Sequence, residues 1–150
     1  MSLSDWQKNG WLRAQRPTRQ EIVDLLGLAE RDQRSAKLKG LDEDWRFNIA
    51  CNAALQTATA ALVASGYNVP KGESHHFRVI GSLPFTVGLD KKLVERLDGY
   101  RKKRSVSVYD VAGSISESEA KAMLALARDL FEQVHAWLMT KHPELMKLGK

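Results

Sequence analysis

The chain contains one cysteine, Cys51, among its 150 residues, so it can form neither an internal disulfide nor a metal site built from several thiolates. Cys51 lies in an apolar run, where a small buried hydrophobic residue is the expected role. The first eleven residues lack the continuous apolar core of a signal peptide. The sequence also lacks a Gly-rich phosphate loop, a nucleophile elbow and a Walker signature. We therefore expect a cytoplasmic protein that carries no metal and no cofactor.

Charged residues are absent from residues 47–70, and such a stretch has to be tested against a membrane span. A spanning helix needs about 20 predominantly apolar residues. This segment is instead rich in alanine, and its polar residues recur at helical spacing: Asn48, Asn52, Gln56 and Thr59. We interpret the segment as a buried central helix with one polar stripe, and we expect no membrane association.

Extended alternation of polar and apolar residues is also missing, as is any internal repeat, which argues against a β-protein or a solenoid. Helical signals are plentiful. Capping boxes predict helix starts near Thr18 and at Ser116, and the acidic turn at residues 41–44 favours another start. The helix from Thr18 is predicted to end near Gly40, the helix from the acidic turn at Gly66, and the helix from Ser116 at Pro143.

Two further helices complete the prediction, a short one around residues 73–80 and a longer one from about Asp90. The helix that starts in the acidic turn should bury a stripe that includes Trp45, Ile49, Ala53 and Leu62. The sequence thus predicts one all-α domain over residues 1–150, an up-and-down bundle of four to five helices. Residues 1–16 show no clear period and are predicted to be a mobile or extended lead-in.

Basic residues exceed acidic ones by 23 to 18, a net charge of +5, and the excess is uneven. Residues 90–104 hold seven basic and three acidic groups, which leaves +4 in one short segment. A local field of this kind suits a phosphate or a polyanion. A solvated helix face is the alternative interpretation.

Helical register separates the four consecutive basic residues in this segment. The apolar face defined by Leu93, Leu97 and Tyr100 extends to Arg101 and Arg104, whereas Lys102 and Lys103 should face water. An inward arginine needs a partner, because an unpaired buried charge is costly. The partner is either a carboxylate, with Asp110 and Asp44 as candidates, or a bound phosphate that matches the planar guanidinium fork.

The adjacent residues His75 and His76 do not form a convincing metal motif, because neighbouring side chains on a helix point in different directions and no carboxylate follows at i+4. We expect one of them to cap a helix or to hydrogen-bond within the bundle. His135 and His142 have no nucleophile beside them in the sequence.

Over residues 20–140 the arrangement resembles the HEPN superfamily, small helical domains of bacterial defence and toxin–antitoxin systems. The resemblance rests on a helix that leads to a Gly-Tyr pair, a Ser-His-His segment and a spaced run of charged and aromatic residues before a long final helix. In this sequence these are Ala53-Ala54-Leu55, Gly66-Tyr67, Ser74-His75-His76, Leu83, Leu97-Asp98, Arg101, Arg104 and Tyr109-Asp110.

The resemblance implies roles for individual residues. Arg104 matches the arginine of the family motif, Ser105 takes the place of its polar residue, and Tyr109 stands where active members carry a histidine. Active members resemble metal-independent ribonucleases that work as dimers. A tyrosine with a pKa near 10 is a poor general base at neutral pH, although it can donate a hydrogen bond to phosphate.

Three hypotheses follow. The first is a HEPN-like module, catalytically weak or inactive, that binds RNA or a nucleotide through Arg101, Arg104, Ser105 and Tyr109, as a homodimer in a toxin–antitoxin or defence context. The second is a metal-independent ribonuclease toxin in which Arg104 and Tyr109 are the candidate catalytic residues. The third is an interaction partner of a nucleotidyltransferase whose arginines are structural.

Overall fold

A computed structural model describes residues 2–70, 75–109 and 115–146, and it describes the side chains of these ranges except for those of residues 105–109. About 75% of the chain is helical, and the only sheet among the described residues is one small pair of strands. The predicted all-α bundle is therefore confirmed. Its elements in chain order are α1 (Leu3–Lys8), β1 (Arg13–Ala14), α2 (Arg19–Ser35), α3 (Glu43–Ala64), β2 (Tyr67–Asn68), α4 (His75–Gly81), α5 (Leu83–Thr86), α6 (Lys91–Tyr109), α7 (Glu117–Lys141) and a 3₁₀ turn (Pro143–Leu145).

Helix α3 forms the centre of the bundle and packs mainly against α2 and α7. Its alanines bring the helix backbones close together, and those at the contact are fully buried: Ala50, Ala53, Ala60 and Ala61. Among the described residues α3 is long and apolar enough to cross a membrane by length and composition alone. However, 67% of its apolar 18-residue stretch is buried inside the bundle. Such burial is typical of the core helix of a soluble protein, and it agrees with the predicted central helix.

The register predicted for the first turn of α3 was wrong. Trp45 was expected in the apolar stripe, but 58% of it is exposed, while Phe47 two residues later is fully buried. The Phe47 ring meets the Tyr100 ring of α6 edge to face, with centroids 5.6 Å apart. Because the stripe is alanine-rich, periodicity could not determine which large side chain of the first turn points inward.

Both predicted capping residues start helices in the structure. The Oγ of Ser116 accepts a hydrogen bond from the Glu119 amide at 3.1 Å, and the Ser116 amide returns one to the Glu119 carboxylate, which completes the capping box. Thr18 accepts from the Glu21 amide at 3.2 Å, but the Glu21 carboxylate binds the Gln15 side chain instead of closing the box.

The connection between α2 and α3 is held by Arg46, whose guanidinium donates to the backbone carbonyls of Ala36, Leu38 and Leu41. Carbonyls at the end of a helix have no intrahelical partner, so an arginine of the next helix satisfies them here. This contact fixes the turn between the two helices.

The N-terminal residues were predicted as a mobile or extended lead-in, which is wrong for α1. Ser2 and Asp5 form a capping box, with the Ser2 amide 2.9 Å from the Asp5 carboxylate, and Trp6 is buried. The extended part is the two-residue strand β1, which pairs antiparallel with β2. Gly81 makes room for Trp6, because a Cβ built there would lie 3.3 Å from the Trp6 ring. The prediction failed because one indole on a six-residue helix gives no repeating period.

Helices α4 and α6 pack on each other and on α3, along an edge of the bundle away from the α2 contact. Helix α6 is tied to the start of α7 by an ion pair between Lys103 and Glu119. A second tie joins α3 to the same region, since the Asp44 carboxylate accepts a hydrogen bond from the Ile115 amide at 3.3 Å. These contacts position the basic part of α6 against the core.

Candidate phosphate-binding site

The two arginines singled out by register lie one helical turn apart on α6 and face the same narrow cleft. The cleft is lined mainly by apolar residues of α3, α4, α6 and α7, among them Cys51, Leu55, Ile80, Leu97 and Met123. Arg101 and Arg104 supply its charged groups. The inward direction predicted for both side chains is therefore what the structure shows.

Arg101 is held by a carboxylate one turn earlier on its own helix. Its Nε donates to Asp98 Oδ1 at 2.7 Å, and 25% of the Arg101 side chain is exposed. Asp44, one of the two carboxylates expected as a partner from the sequence, does not pair with it, and the other, Asp110, lies outside the described residues. The terminal guanidinium nitrogens of Arg101 make no hydrogen bond to any residue that the structure describes. Four of the five N–H donors of the guanidinium, those on its two terminal nitrogens, therefore have no acceptor in the described part of the chain.

Arg104 lies near Cys51 of α3, and its charge acts on the thiol. Burial raises the pKa of Cys51 to about 12, and the positive charge of Arg104 opposes that rise. The thiol therefore stays protonated at neutral pH and is no nucleophile. Arg104 also makes a contact of its own within the chain, as does Asp44.

The two lysines between these arginines differ from each other. Lys102 is exposed and reaches the other oxygen of Asp98 at 3.4 Å, so Asp98 neutralises part of the cluster. Lys103 was predicted to face water, but it pairs with Glu119 of α7. This contact and the capping bond from Ser116 lower the pKa of the Glu119 carboxyl. Lys103 is thus a structural tie between α6 and α7.

His76 of α4 lies near the two arginines, a proximity that the sequence did not reveal. Partial burial lowers its pKa from 6.5, with further contributions from the neighbouring His75 and from the charges of Arg104 and Arg101. Its imidazole is therefore neutral at pH 7 and lies in the field of both guanidinium groups. No spacing rule connects a residue of α4 to two residues more than 20 positions later, so only the packing of α4 on α6 could reveal the pairing.

Phe77 brings an aromatic ring to the same edge. Its centroid lies 5.7 Å from Arg101 Cζ and 5.5 Å from Arg78 Cζ, within the range of cation–π contacts. The Arg78 guanidinium also stacks on Trp11 at 3.8 Å. Phe77 is 44% exposed, so part of its ring is accessible to solvent beside the arginines.

The backbone of Ser105 and Tyr109 forms part of α6, but the structure does not describe their side chains, and Asp110 lies outside the described residues. The phosphate contacts predicted for Ser105 and Tyr109 remain predictions. Within the described part of the chain no group of three or more potential ligand residues could hold a metal ion. The His75 and His76 rings meet edge to face with centroids 5.4 Å apart, and His75 Nδ1 is buried without a hydrogen-bond partner in that same part.

The size of the cleft limits what it can admit. It encloses about 10 Å³, room for roughly one water molecule, so a ligand can reach the guanidinium groups only at the mouth. A larger groove of about 220 Å³ runs between α6 and α7, where Arg96, Asp129 and Gln133 join apolar side chains. That groove presents one guanidinium beside a carboxylate, a poorer match to an anion than the arginine pair.

Comparisons with protein-family models, with curated proteins and with solved structures gave no significant match to this chain. The interpretation of the site therefore rests on its residues and their geometry.

Proposed function

We propose that this chain is a HEPN-like helical module that binds the phosphate groups of RNA or of a nucleotide through Arg101 and Arg104. The observation that carries the proposal is the pair of guanidinium groups at the mouth of one cleft, with the terminal nitrogens of Arg101 free of hydrogen bonds to described residues. A bidentate guanidinium–phosphate contact needs that geometry. The toxin–antitoxin context and a homodimer belong to the same proposal through the resemblance, and a cytoplasmic location belongs to it through the composition of the N-terminal residues.

The surroundings of the arginines support an anion as ligand. The segment 90–104 carries an excess of four positive charges, and Asp98 is the acidic group that contacts the cluster within α6. The apolar lining of the cleft lowers the local dielectric constant, which strengthens any charge-assisted bond made at its mouth. A carboxylate held on the Nε edge of Arg101 fixes the direction of its fork.

Binding of a fluorescently labelled RNA oligonucleotide, followed by anisotropy at low salt, tests the proposal. Arg104→Ala and Arg101→Ala should each weaken binding about 10- to 100-fold, the cost of one charge-assisted phosphate contact. Lys102→Ala, the neighbouring exposed cation, should weaken it only about twofold.

Arg96→Ala is the matched control, because it removes an arginine of α6 that lines the larger groove. A loss with Arg96→Ala as large as that with Arg104→Ala would move the site to that groove. Equal losses from Lys102→Ala and Arg104→Ala would reduce the cluster to a diffuse charged surface. No RNA binding at low salt would favour the third hypothesis, a nucleotidyltransferase partner.

His76 favours a second candidate, the metal-independent ribonuclease. A histidine that is neutral at pH 7 can accept a proton. It is therefore a better general base than Tyr109, which stands at the motif position of the family histidine. RNA cleavage in EDTA should then occur with the wild type and fall at least about 100-fold with His76→Ala and with Arg104→Ala. Equal rates in the wild type and both variants would exclude this activity.

A further inference from the structure

The exposed ring of Phe77 has no explanation in the packing of the bundle. Helix α4 is anchored by Val79 and Ile80, which are almost fully buried, while Phe77 stays 44% exposed. Its ring instead contacts the guanidinium groups of Arg78 and Arg101, whose Cζ atoms lie 5.5 and 5.7 Å from the ring centroid.

The two guanidinium groups have different tasks. Arg78 is held by the N-terminal aromatic cluster, at 3.8 Å from the Trp11 ring and 5.7 Å from the Trp6 ring. Arg101 is held by Asp98 and lines the cleft. The Phe77 ring therefore contacts both a structural cation, Arg78, and Arg101, the cation that we assign to phosphate.

A phosphate contact directly beside a partly exposed aromatic ring matches the two parts of an unpaired nucleotide, its phosphate and its base. The phosphate needs the fork, and the base needs a flat apolar surface. The cleft itself is too small for a base, since it holds roughly one water molecule. The base must then lie outside the cleft, where Phe77 is the exposed ring in contact with Arg101.

We propose that Phe77 stacks on an unpaired nucleobase whose phosphate is bound by Arg101 and Arg104. This rests on the proposed phosphate site and narrows its ligand to single-stranded RNA or a nucleotide, because the base faces of a duplex are covered by stacking. Stacking on Phe77 does not distinguish one base from another, because every base presents a π-face. Recognition should therefore tolerate any sequence.

The test measures anisotropy of one labelled RNA as a single strand and as a duplex, with the full-length protein. Phe77→Ala should weaken single-strand binding about 10-fold, within the range for one lost base stack, and Phe77→Trp should keep it. Phe77→Leu retains apolar bulk without a π-face and should behave as Phe77→Ala. Duplex binding should be weaker in the wild type and unaffected by these variants.

Phe85→Ala is the matched control, because Phe85 is 40% exposed and contacts Trp6, with ring centroids 5.4 Å apart, rather than Arg101. Its affinity should stay within about twofold of the wild type. Competition separates the two halves of the ligand: AMP should displace the RNA better than inorganic phosphate from the wild type, and equally well from Phe77→Ala.

The outcomes distinguish the two proposals. Wild-type affinity in Phe77→Ala, together with a large loss in Arg104→Ala, would overturn the stacking platform and leave the phosphate site intact. Equal binding of single strand and duplex would overturn it as well. Binding that is absent, or insensitive to Arg104→Ala, would overturn both.

Discussion

Helix α3 has two different surroundings. It packs mainly against α2 and α7, and apolar residues along its length are fully buried. Toward α4 and α6 it presents Cys51 and Leu55 to a cleft whose mouth carries two guanidinium groups. Arginines placed against an apolar wall add little stability, because desolvation offsets their pairing energy. We infer that the packing against α2 and α7 maintains the fold and that the cleft side is specialised for a ligand.

The largest expected effect concerns Cys51, which α3 presents to the cleft. A pKa raised from 9.0 to about 12 by burial leaves about 10³-fold less thiolate at pH 8 than in the unfolded chain. Alkylation by iodoacetamide should therefore be slower by at least that order in the native protein than in urea, as followed by mass spectrometry.

Arg104→Ala sharpens this measurement. The charge of Arg104 lowers the pKa of Cys51, so its removal should slow alkylation further or leave it unchanged. Faster alkylation in that variant would mean that Arg104 shields the thiol sterically. Native and unfolded rates within tenfold of each other would contradict the burial of this side of α3.

The next effect separates a buried from an exposed ring on the same turn of α3. Phe47→Ala removes a fully buried ring that packs on Tyr100 and should lower the free energy of unfolding by about 3–5 kcal/mol. Trp45→Ala, its exposed neighbour, should change it by less than about 0.5 kcal/mol. Urea unfolding followed by circular dichroism measures both, and a larger cost for Trp45→Ala would reverse the register of the core.

A smaller effect is expected where α7 begins beside the basic segment of α6. Ser116→Ala removes the side-chain acceptor of the capping box and should cost about 1 kcal/mol in the free energy of unfolding. Ser116→Asp keeps an acceptor and should stay near the wild-type value in the same urea titration. A cost shared by both variants would show that the cap is not what stabilises this helix start.

The smallest effect is a pH dependence of RNA binding at the cleft. The pKa of His76 is lowered in the free protein, so the imidazole is neutral at pH 7, and bound phosphate favours its protonated form. Affinity should rise a few-fold as the pH falls from 7 toward 5.5, since phosphodiesters do not titrate there.

His76→Ala should flatten that profile in an anisotropy titration, whereas His135→Ala, on an exposed part of α7, should not. An unchanged slope in His76→Ala would remove His76 from the site.

The sequence predicted most of the bundle because its signals are local. Thr18, Gly66 and Ser116 mark helix ends through backbone geometry and capping, and the structure has helix boundaries beside each. Register also predicted that Arg101 and Arg104 point inward. These inferences depend only on residues within a few positions of one another.

What the sequence missed depends on packing between distant segments. The Asp98 contact of Arg101 lies within one turn, but several carboxylates compete for an arginine, and spacing alone did not select it. His76 and Phe77 reach the site only because α4 packs on α6. Trp6 needed Gly81 to accommodate its ring, a pairing with no local trace.

The central claim is that Arg101 and Arg104 together bind phosphate. The most direct measurement follows the Nε–Hε resonances of the arginine side chains by NMR during titration with AMP. The signals of Arg101 and Arg104 should shift together and saturate with one dissociation constant. Those of Arg31 and Arg128, exposed arginines that pair with the neighbouring residues Asp32 and Asp129, should stay in place. Small, unsaturating shifts spread over all arginines would contradict the claim.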